Sequence, residues 1–228
     1  ISSRYDQKVE KFLAFHEVLA ELFPNVHAAC EKHVFDGSLL FKWAGRGEAD
    51  PIILMSHQDV VEAGGKWEHE PFSGDIDETG RVWGRGTVDT KASLFCIFTA
   101  LEELIASGYT PAGDVYIASS CTEEISGPGA PATVAYLKEQ GVKPSLVLDE
   151  GGTIQDMECD GRTYAAAVIG MGEKQQVEYR MTVTCPGGHT SQPRRTTAVG
   201  ILSEAICRIE SAQPHHRLTP LVRQHLDR

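Results

Sequence analysis

Residues 52–60 read IILMSHQDV, an apolar run that stops at a histidine and an aspartate placed one residue apart. The run predicts a buried strand, and the polar residues mark the place where the chain leaves the sheet. That exit alone is enough to account for His57 and Asp59, because short motifs often match by accident. A ligand-binding interpretation therefore depends on what stands at the ends of the other strands.

The order of the predicted elements around this strand defines the fold class. Apolar periodicity predicts, in order, a helix at 5–23, strands at 39–43 and 52–56 that form a hairpin or lie side by side, a helix at 89–107, a strand at 114–120, a helix at 130–140 and a strand at 145–148. Strands that alternate with helices predict an α/β fold with a mostly parallel sheet flanked by helices. Two more strands, at 165–169 and 176–184, and a helix at 197–211 follow.

Composition limits the kinds of partner. The 228 residues, 41% of them hydrophobic, are enough for one large domain or for one domain and part of another. A net charge of -11 argues against nucleic acid or an anionic membrane as a partner, since both require clustered Lys and Arg. No apolar run approaches the ~18 residues of a membrane span, and the six cysteines are irregularly spaced with no C-x-x-C pair. We therefore expect a cytoplasmic protein with reduced thiols and no thiolate metal site.

Acidic side chains stand at the other predicted strand and helix ends. Asp89 begins a predicted helix after GRGTV, Glu123 and Glu124 follow the strand at 114–120, and Asp149 with Glu150 follows SLVL. Because the carboxyl ends of parallel strands lie along one edge of a sheet, these acids and His57 are expected to face a common crevice. Carboxylates so close together would raise one another's pKa unless a positive charge lay among them. A pair of divalent metal ions supplies that charge, and this donor set suits Zn, with Co or Mn as alternatives.

The positions of these residues suggest different roles. Asp89, held at a helix start with both oxygens free, is a candidate bridge between two ions. Asp59 lies on the same side of the extended chain as His57 and could orient the imidazole. Neighbours on an extended chain point apart, so one of Glu123 and Glu124 could bind metal while the other takes a proton from water.

Each feature also has an ordinary structural explanation. A Glu-Glu pair is usually solvated surface, Asp89 could be only a helix N-cap, and an Asp-Glu pair before Gly-Gly is common turn chemistry. The combination favours a metal-binding site, because four separate strand or helix ends in one chain carry an acidic residue or a histidine.

Four motifs together resemble a known family. The chain contains SHQDVV at 56–61, WEHEPF at 67–72 followed by GRGTVDTK at 84–91, TEEISGPGA at 122–130 and VLDEGG at 147–152. In this order they are similar to the dinuclear zinc metallopeptidases that include glutamate carboxypeptidase, acetylornithine deacetylase, aminoacylase, carnosinase and yeast carboxypeptidase S. The motifs are nearest to the carboxypeptidase S and Gly-X carboxypeptidase branch, and the resemblance covers residues 5–193.

The resemblance implies metal ligands at four positions and supporting or catalytic roles at two more. His57 and Asp149 would bind one zinc ion, Glu124 the other, and Asp89 would bridge both, while Glu123 would be the general base and Asp59 the acid that supports His57. Many relatives have a second aspartate after the bridging one. This chain has Thr90 there. The difference removes a negative charge from the site and affects the implied set of ligands less.

A further motif, GGHTSQP at 187–193, resembles part of the family's smaller lid or dimerisation domain. There His189 would reach an active site, often that of a partner subunit, and stabilise the oxyanion of the tetrahedral intermediate. Without the resemblance, His189 would be interpreted as a solvent-facing loop histidine. The resemblance thus implies a zinc-dependent, phosphorylase/hydrolase-like catalytic domain at 1–172. It also implies the start of a ferredoxin-like α+β lid at 173–228, beginning near Gln175, and a homodimer formed through the lid.

In the family, a late histidine completes the second zinc site after the chain has returned from the lid. The remaining candidates here, His215, His216 and His225, stand in no matching context, and none is assigned. The sequence is therefore expected to be an N-terminal fragment. The implied reaction is hydrolysis of an amide bond in a peptide or N-acyl amino acid. The alternatives are a metal-binding module without catalysis and an α/β domain whose acidic strand ends bind nothing.

Overall fold

The computed structural model describes residues 1–172, 177–189, 191–192, 194–212, 218–220 and 223–224. The chain divides into two compact units, Ile1–Gly151 and Gly152–Arg228. The predicted division into a catalytic part, 1–172, and a lid part, 173–228, stays a prediction. The residues outside the described ranges include several that the sequence analysis named, namely Gln175, Thr190, Pro193, His215, His216 and His225.

The first unit is a five-stranded sheet with helices on both faces. Its strands are β1 (Glu31–Phe35), β2 (Ser38–Trp43), β3 (Ile52–Met55), β4 (Val115–Ser119) and β5 (Leu146–Leu148), and its helices are α1 (Val9–Leu22), α2 (Pro24–Ala29), α3 (Ala92–Ala106) and α4 (Gly129–Glu139). The strands lie in the order β1-β2-β4-β3-β5. β2 is antiparallel to both of its neighbours, whereas β3 is parallel to β4 and β5. Four strands thus point one way and β2 opposes them, so the predicted mostly parallel α/β sheet is confirmed.

Alternation along the strands separates two apolar cores. Phe41 of β2 and Ile117 of β4 pack with α1, α2 and α3, whereas Leu40 and Tyr116 pack with Leu137 of α4. Full burial of such a side chain contributes about 1.5–3 kcal/mol, and a one-residue slip would exchange the two faces. The register of β2 against β4 is therefore strongly specified. It fixes the strand end from which Glu123 and Glu124 follow.

Strands β2 and β3 are not neighbours, which corrects the predicted hairpin or side-by-side pair. β4 lies between them, because the connection at 44–51 runs along the segment before β4 instead of turning back. The Arg46 N–H donates to Pro111 O at 2.9 Å. Gly45 approaches the backbone of Gly113 so closely that a Cβ there would overlap it.

Sequence periodicity missed α2 and β1, and it placed the start of α3 at Asp89 instead of Ala92. The helix α2 has six residues, too few to show a helical period. β1 is an edge strand whose side chains are exposed or half-buried, so it lacks a clear apolar alternation. The error at Asp89 bears on the candidate site.

Replacing Asp114 with Asn is expected to lower the free energy of unfolding by about 1 kcal/mol at pH 7, allowing for partial exposure. Asp114 Oδ1 accepts the Gly45 N–H at 2.9 Å, and Oδ2 lies 3.1 Å from Lys42 Nζ. The Gly45 hydrogen bond and the Lys42 ammonium hold the pKa of Asp114 below its usual range, although burial opposes them. Because the folded-state pKa is the lower one, this stability is present above pH ~4 and is lost as the pH falls through the folded-state pKa.

Urea unfolding at pH 7 and at pH 2 measures the effect, with the exposed Asp156→Asn as the matched control. An Asp114→Asn deficit that does not shrink between the two pH values would contradict the charge-based explanation.

The second unit contains an antiparallel hairpin, β6 (Ile154–Cys159) and β7 (Arg162–Ala167), and a helix, α5 (Ala198–Ser211). Thr197 caps α5 by accepting the Gly200 N–H at 3.1 Å. The predicted strand at 165–169 overlaps β7, and the predicted helix at 197–211 is confirmed. Residues 177–184 of the strand predicted at 176–184 belong to no strand. Over the described part of the chain, no helix is long and apolar enough to cross a bilayer.

Candidate metal centre

The end of β3 carries the first two residues of the candidate site. The strand pairing continues one step beyond β3, since the Gln58 N–H donates to Ser120 O at 2.8 Å. His57 and Asp59 therefore stand on one side of an extended segment. Both are buried, with exposed fractions of 4% and 0%. This burial separates them from ordinary polar residues at a strand exit.

His57 lies among carboxylates from three other segments. Its Nε2 is 2.9 Å from Asp89 Oδ1, 3.4 Å from Glu150 Oε1 and 3.8 Å from Glu123 Oε2. Its Nδ1–H donates to the backbone carbonyl of Asp59 at 2.9 Å. Burial lowers the pKa of His57, but the hydrogen bond and charge of Asp59 and the charge of Glu150 outweigh burial and raise that pKa to about 9. The carboxylates thus favour a positive charge at Nε2, whether a proton or a metal ion.

Asp59 joins the ends of β3 and β4. Its Oδ1 accepts the N–H of Glu123 and its Oδ2 accepts the N–H of Glu124, each at 3.2 Å. Burial raises the pKa of Asp59, but hydrogen bonds from His57, from Ser2 and from the two backbone amides lower it more. Asp59 therefore contacts the imidazole on one side and holds the glutamate pair on the other. The sequence indicated the first contact and gave no signal for the second.

Asp89 does not begin a helix, which corrects the sequence prediction. It lies in a tight turn, Thr87–Lys91, with a non-helical backbone (φ -112°, ψ 92°) and a cis peptide bond to Thr90. The Ser56 hydroxyl donates to Thr90 O at 3.0 Å and attaches the turn to the end of β3. The carboxylate of Asp89 is largely exposed and reaches the Nε2 of His57 from the solvent side.

Two groups of possible metal ligands share His57. His57, Asp89 and Glu124 each offer one ligand atom within 4.8 Å of the others, and His57, Glu123 and Glu150 do the same. An imidazole nitrogen with carboxylate oxygens fits zinc, cobalt or manganese. Exposed acids alone would be weak evidence, but here they converge on a buried histidine.

The chain after β5 presents Glu150 rather than Asp149 to His57. Asp149 Oδ1 accepts the N–H of Glu150 at 2.9 Å, and Asp149 belongs to neither ligand group. Adjacent residues of an extended chain point to opposite sides, so sequence reasoning named this strand end but could not choose between the two acids. The ligand role that the resemblance assigns to Asp149 stays a prediction.

Glu123 has the surroundings of a proton acceptor. Burial raises its pKa, the charge of His57 opposes that rise, and the charges of Glu150 and Glu124 add to it. Its side chain remains 50% exposed and is therefore accessible to water. A carboxylate whose pKa is moved toward neutral pH is suited to take and return a proton.

A buried network that the sequence did not indicate anchors Gln58, which lies between the two site residues of β3. Gln58 Nε2 donates to Gly37 O (2.8 Å) and to Ser119 O (3.2 Å), and its Oε1 lies 3.2 Å from His16 Nε2. The Lys91 ammonium donates to Gln58 O at 2.6 Å. Side chain and backbone of Gln58 are thus both held. We infer that Gln58 is a positioning residue for the segment that carries the imidazole.

Replacing Gln58 with Ala is expected to lower the free energy of unfolding by about 2 kcal/mol, because Ser119 O loses a buried hydrogen-bond donor. The change is also expected to weaken Co²⁺ binding about tenfold, the usual effect of losing a residue that supports a ligand. Urea unfolding and Co²⁺ titration measure the two effects. The matched control is Gln155→Ala on the exposed β6; equal behaviour of both variants would rule out the anchoring role.

His189 lies on an exposed loop of the second unit. Its Nδ1 accepts the N–H of Ser191 at 3.2 Å and lies 2.7 Å from Ser191 Oγ. Because Nδ1 is an acceptor here, Nε2 is the nitrogen that can donate a hydrogen bond. Its contribution to an oxyanion site stays a prediction.

An α/β sheet that gathers a buried histidine and several carboxylates at the carboxyl edge of its strands is typical of metal-dependent enzymes. The model of Peptidase family M20/M25/M40 matches residues 53–218, and the chain belongs to this family. The resemblance drawn from the four motifs is thereby confirmed.

Two curated relatives show the branch of the family. The chain is 36% identical over 224 residues to "Probable carboxypeptidase S-like 2" of Dictyostelium discoideum, a match that covers 95% of this chain and 43% of the relative. It is 42% identical over 217 residues to "N-fatty-acyl-amino acid synthase/hydrolase PM20D1.1" of Danio rerio, covering 91% of this chain and 42% of the relative. The chain therefore spans less than half the length of these relatives.

The solved structure of human carnosine dipeptidase 1 is similar in fold. It has a TM-score of 0.53 and 16% sequence identity, and the match covers 66% of this chain and 36% of that chain. At this identity the likeness shows the fold alone. It agrees with the α/β sheet described above.

Proposed function

We propose that the full-length protein is a metal-dependent hydrolase that cleaves an amide bond in a peptide or an N-acyl amino acid. The observation that carries the proposal is the position of Glu123, 3.8 Å from His57 Nε2 and next to the candidate ligands His57, Asp89 and Glu124. Membership of a peptidase family supports hydrolysis. The names of the relatives, a carboxypeptidase S-like protein and an N-fatty-acyl-amino acid synthase/hydrolase, support the two substrate classes.

The resemblance implies two ions, which the residues of this site would hold. His57 and Asp149 would bind one ion, Glu124 would bind the other, and Asp89 would bind both. The proximity of His57, Asp89 and Glu124 supports this assignment, and the resemblance favours zinc. Divalent metal held by these residues would supply Lewis-acid chemistry, which lowers the pKa of a water molecule toward ~7 and polarises the amide carbonyl.

The residues of this chain would carry the proton transfers. Glu123 takes a proton from the attacking water at its carboxylate and later returns it to the nitrogen of the leaving amine. The water oxygen adds to the amide carbon and the C–N bond breaks, so the products are a carboxylic acid and an amine. Asp59 keeps the imidazole and the Glu123 backbone in place during both transfers. His189, donating from Nε2, would stabilise the oxyanion.

The proposed partners follow from the same reasoning. The substrate is a peptide or N-acyl amino acid, and a second copy of the chain would bind through residues 173–228. Neither nucleic acid nor a membrane surface is proposed, given the net charge of -11. A cytoplasmic location, predicted from the cysteine pattern, belongs to this proposal.

Hydrolysis assays on the full-length protein test the proposed function. The substrates are dipeptides, longer peptides with a free carboxyl terminus, and N-acetyl and N-dodecanoyl amino acids. We expect turnover of at least one class, loss of turnover after chelation and recovery with Zn²⁺ or Co²⁺. Metal binding without turnover of any class would support the alternative, a metal-binding subunit without catalysis. Turnover that survives chelation would overturn the metal dependence.

A further inference from the structure

The turn that follows β4 carries the glutamate pair and leads into α4. Within it, the Gly127 N–H donates to Thr122 O at 2.7 Å, and the Ser126 N–H donates to Glu123 O at 2.8 Å. Ser126 has a left-handed backbone (φ 49°), which a residue other than glycine keeps only when the surrounding structure holds it. Residues 122–129, which we call the glutamate turn, therefore have one defined backbone conformation.

A buried hydroxyl joins the glutamate turn to α4. Thr122 is only 7% exposed, and its Oγ1 accepts the N–H of Gly129 at 3.0 Å. Gly129 is the first residue of α4, where a backbone N–H has no acceptor within the helix. Pro128, at the usual capping position, has no side-chain group that could accept it. Thr122 therefore caps α4 from a position seven residues earlier in the chain.

Close packing fixes the Thr122 side chain in this position. A Cβ on Gly127 would lie 2.5 Å from Thr122 Cβ, and a Cβ on Gly129 would overlap the hydroxyl oxygens of Ser38 and Ser120. The Thr122 N–H also donates to Ser120 Oγ at 3.1 Å. The two glycines thus allow the backbone of the glutamate turn and the start of α4 to approach Thr122 closely.

The backbone of Glu123, the residue after Thr122, is fixed at both of its polar groups. Its N–H donates to Asp59 Oδ1 at 3.2 Å, and its carbonyl accepts the Ser126 N–H. Its side chain is half-exposed and can reach water. A general base must lie within hydrogen-bond reach of the proton that it takes, and a displacement of about 1 Å can lower the rate about a hundredfold. The position of the glutamate turn therefore bears directly on proton transfer.

We propose that Thr122 is a positioning residue for the general base Glu123, acting through the hydrogen bond between its hydroxyl and the Gly129 N–H. Thr122 joins the glutamate turn to α4, and Asp59 joins the same turn to the end of β3. The carboxylate of Glu123 is thus held between two elements of the fold. The proposal rests on the proposed function, which makes Glu123 the base.

Thr122→Val tests the proposal, because valine keeps the branched shape of the side chain and lacks the hydroxyl. In the full-length protein, saturated with Co²⁺, we expect kcat to fall at least about tenfold while KM stays within about twofold. Thr122→Ser keeps the hydroxyl and is expected to restore kcat to within about threefold of the unsubstituted protein. Elemental analysis checks that all variants carry equal metal.

Thr133→Val is the matched control. Thr133 is 6% exposed, and its hydroxyl donates to Gly129 O at 3.1 Å. The control therefore loses a buried hydroxyl at the same glycine, but from within α4 instead of from the glutamate turn. We expect its kcat to change less than about twofold. Equal losses of kcat in Thr122→Val and Thr133→Val, or in Thr122→Val and Thr122→Ser, would overturn the proposal.

Amide hydrogen exchange distinguishes this proposal from the proposed function, because exchange requires neither metal nor turnover. The N–H groups of Gly129 and Ser126 are expected to exchange about fivefold faster in Thr122→Val than in Thr122→Ser, the effect of one lost hydrogen bond. Equal exchange in the two variants, or faster exchange with an unchanged kcat, would overturn the proposal. Faster exchange in a protein without any turnover would overturn the proposed function but support the contact by which Thr122 holds the glutamate turn.

Discussion

Glu123→Gln is expected to lower kcat by at least about a thousandfold in the full-length protein, because glutamine cannot accept the proton of the attacking water. The substitution keeps the size of the side chain. It also leaves the backbone N–H of residue 123, which donates to Asp59 Oδ1 at 3.2 Å. The ligand group of His57, Asp89 and Glu124 does not include Glu123, so that group keeps its metal.

Two comparisons make this result specific to the proton transfer. Glu124→Gln changes the neighbouring acid and is expected to reduce metal content together with turnover. Glu139→Gln, an exposed glutamate at the end of α4, should leave both unchanged. Steady-state kinetics combined with elemental analysis separates these cases. Turnover near the wild-type level in Glu123→Gln would refute the assignment of the base.

The sequence was sufficient to predict which strand ends meet, because the apolar runs mark the strands and the carboxyl ends of parallel strands lie at one edge of a sheet. The apolar runs before His57, Glu123 and Glu150 were clear, and the carboxyl edges of β3, β4 and β5 do adjoin. The sequence could not show whether Asp149 or Glu150 faces His57. That depends on how the backbone turns after β5, and two adjacent acidic residues give no periodic pattern from which to predict it.

Contacts between segments that are distant in the chain could not be predicted from the sequence either. The hydrogen bonds of Gln58 to Gly37 and Ser119 depend on the packing of β2 against β4, and a glutamine between two site residues carries no pattern of its own. The turn at Asp89 also depends on a contact between distant segments. The Ser56 hydroxyl donates to Thr90 O and holds a turn where the sequence predicted the start of a helix. The side chains that meet at the carboxyl edge of the sheet could therefore be predicted as a group. The hydrogen bonds that position them could not.

His57→Ala is expected to remove the bound metal almost completely, with at least about a hundredfold loss of affinity. The reason is geometric, because His57 is the one residue that both ligand groups share. Elemental analysis of the purified chain and Co²⁺ titration measure the loss. His33→Ala, a histidine outside both groups that contacts the hydroxyl of Tyr136 at 2.9 Å, is the matched control. Metal content in His57→Ala equal to that of the control would refute the site.

Asp89→Ala decides whether Asp89 bridges two ions. A bridging carboxylate holds both, so its removal should lower metal content as far as His57→Ala does. A carboxylate that binds only one ion should leave the other ion in place. Asp6→Ala, an exposed aspartate outside both groups, controls for the lost charge. Little metal in the unsubstituted chain would mean that these 228 residues do not form the site unaided, and the comparison would then require the full-length protein.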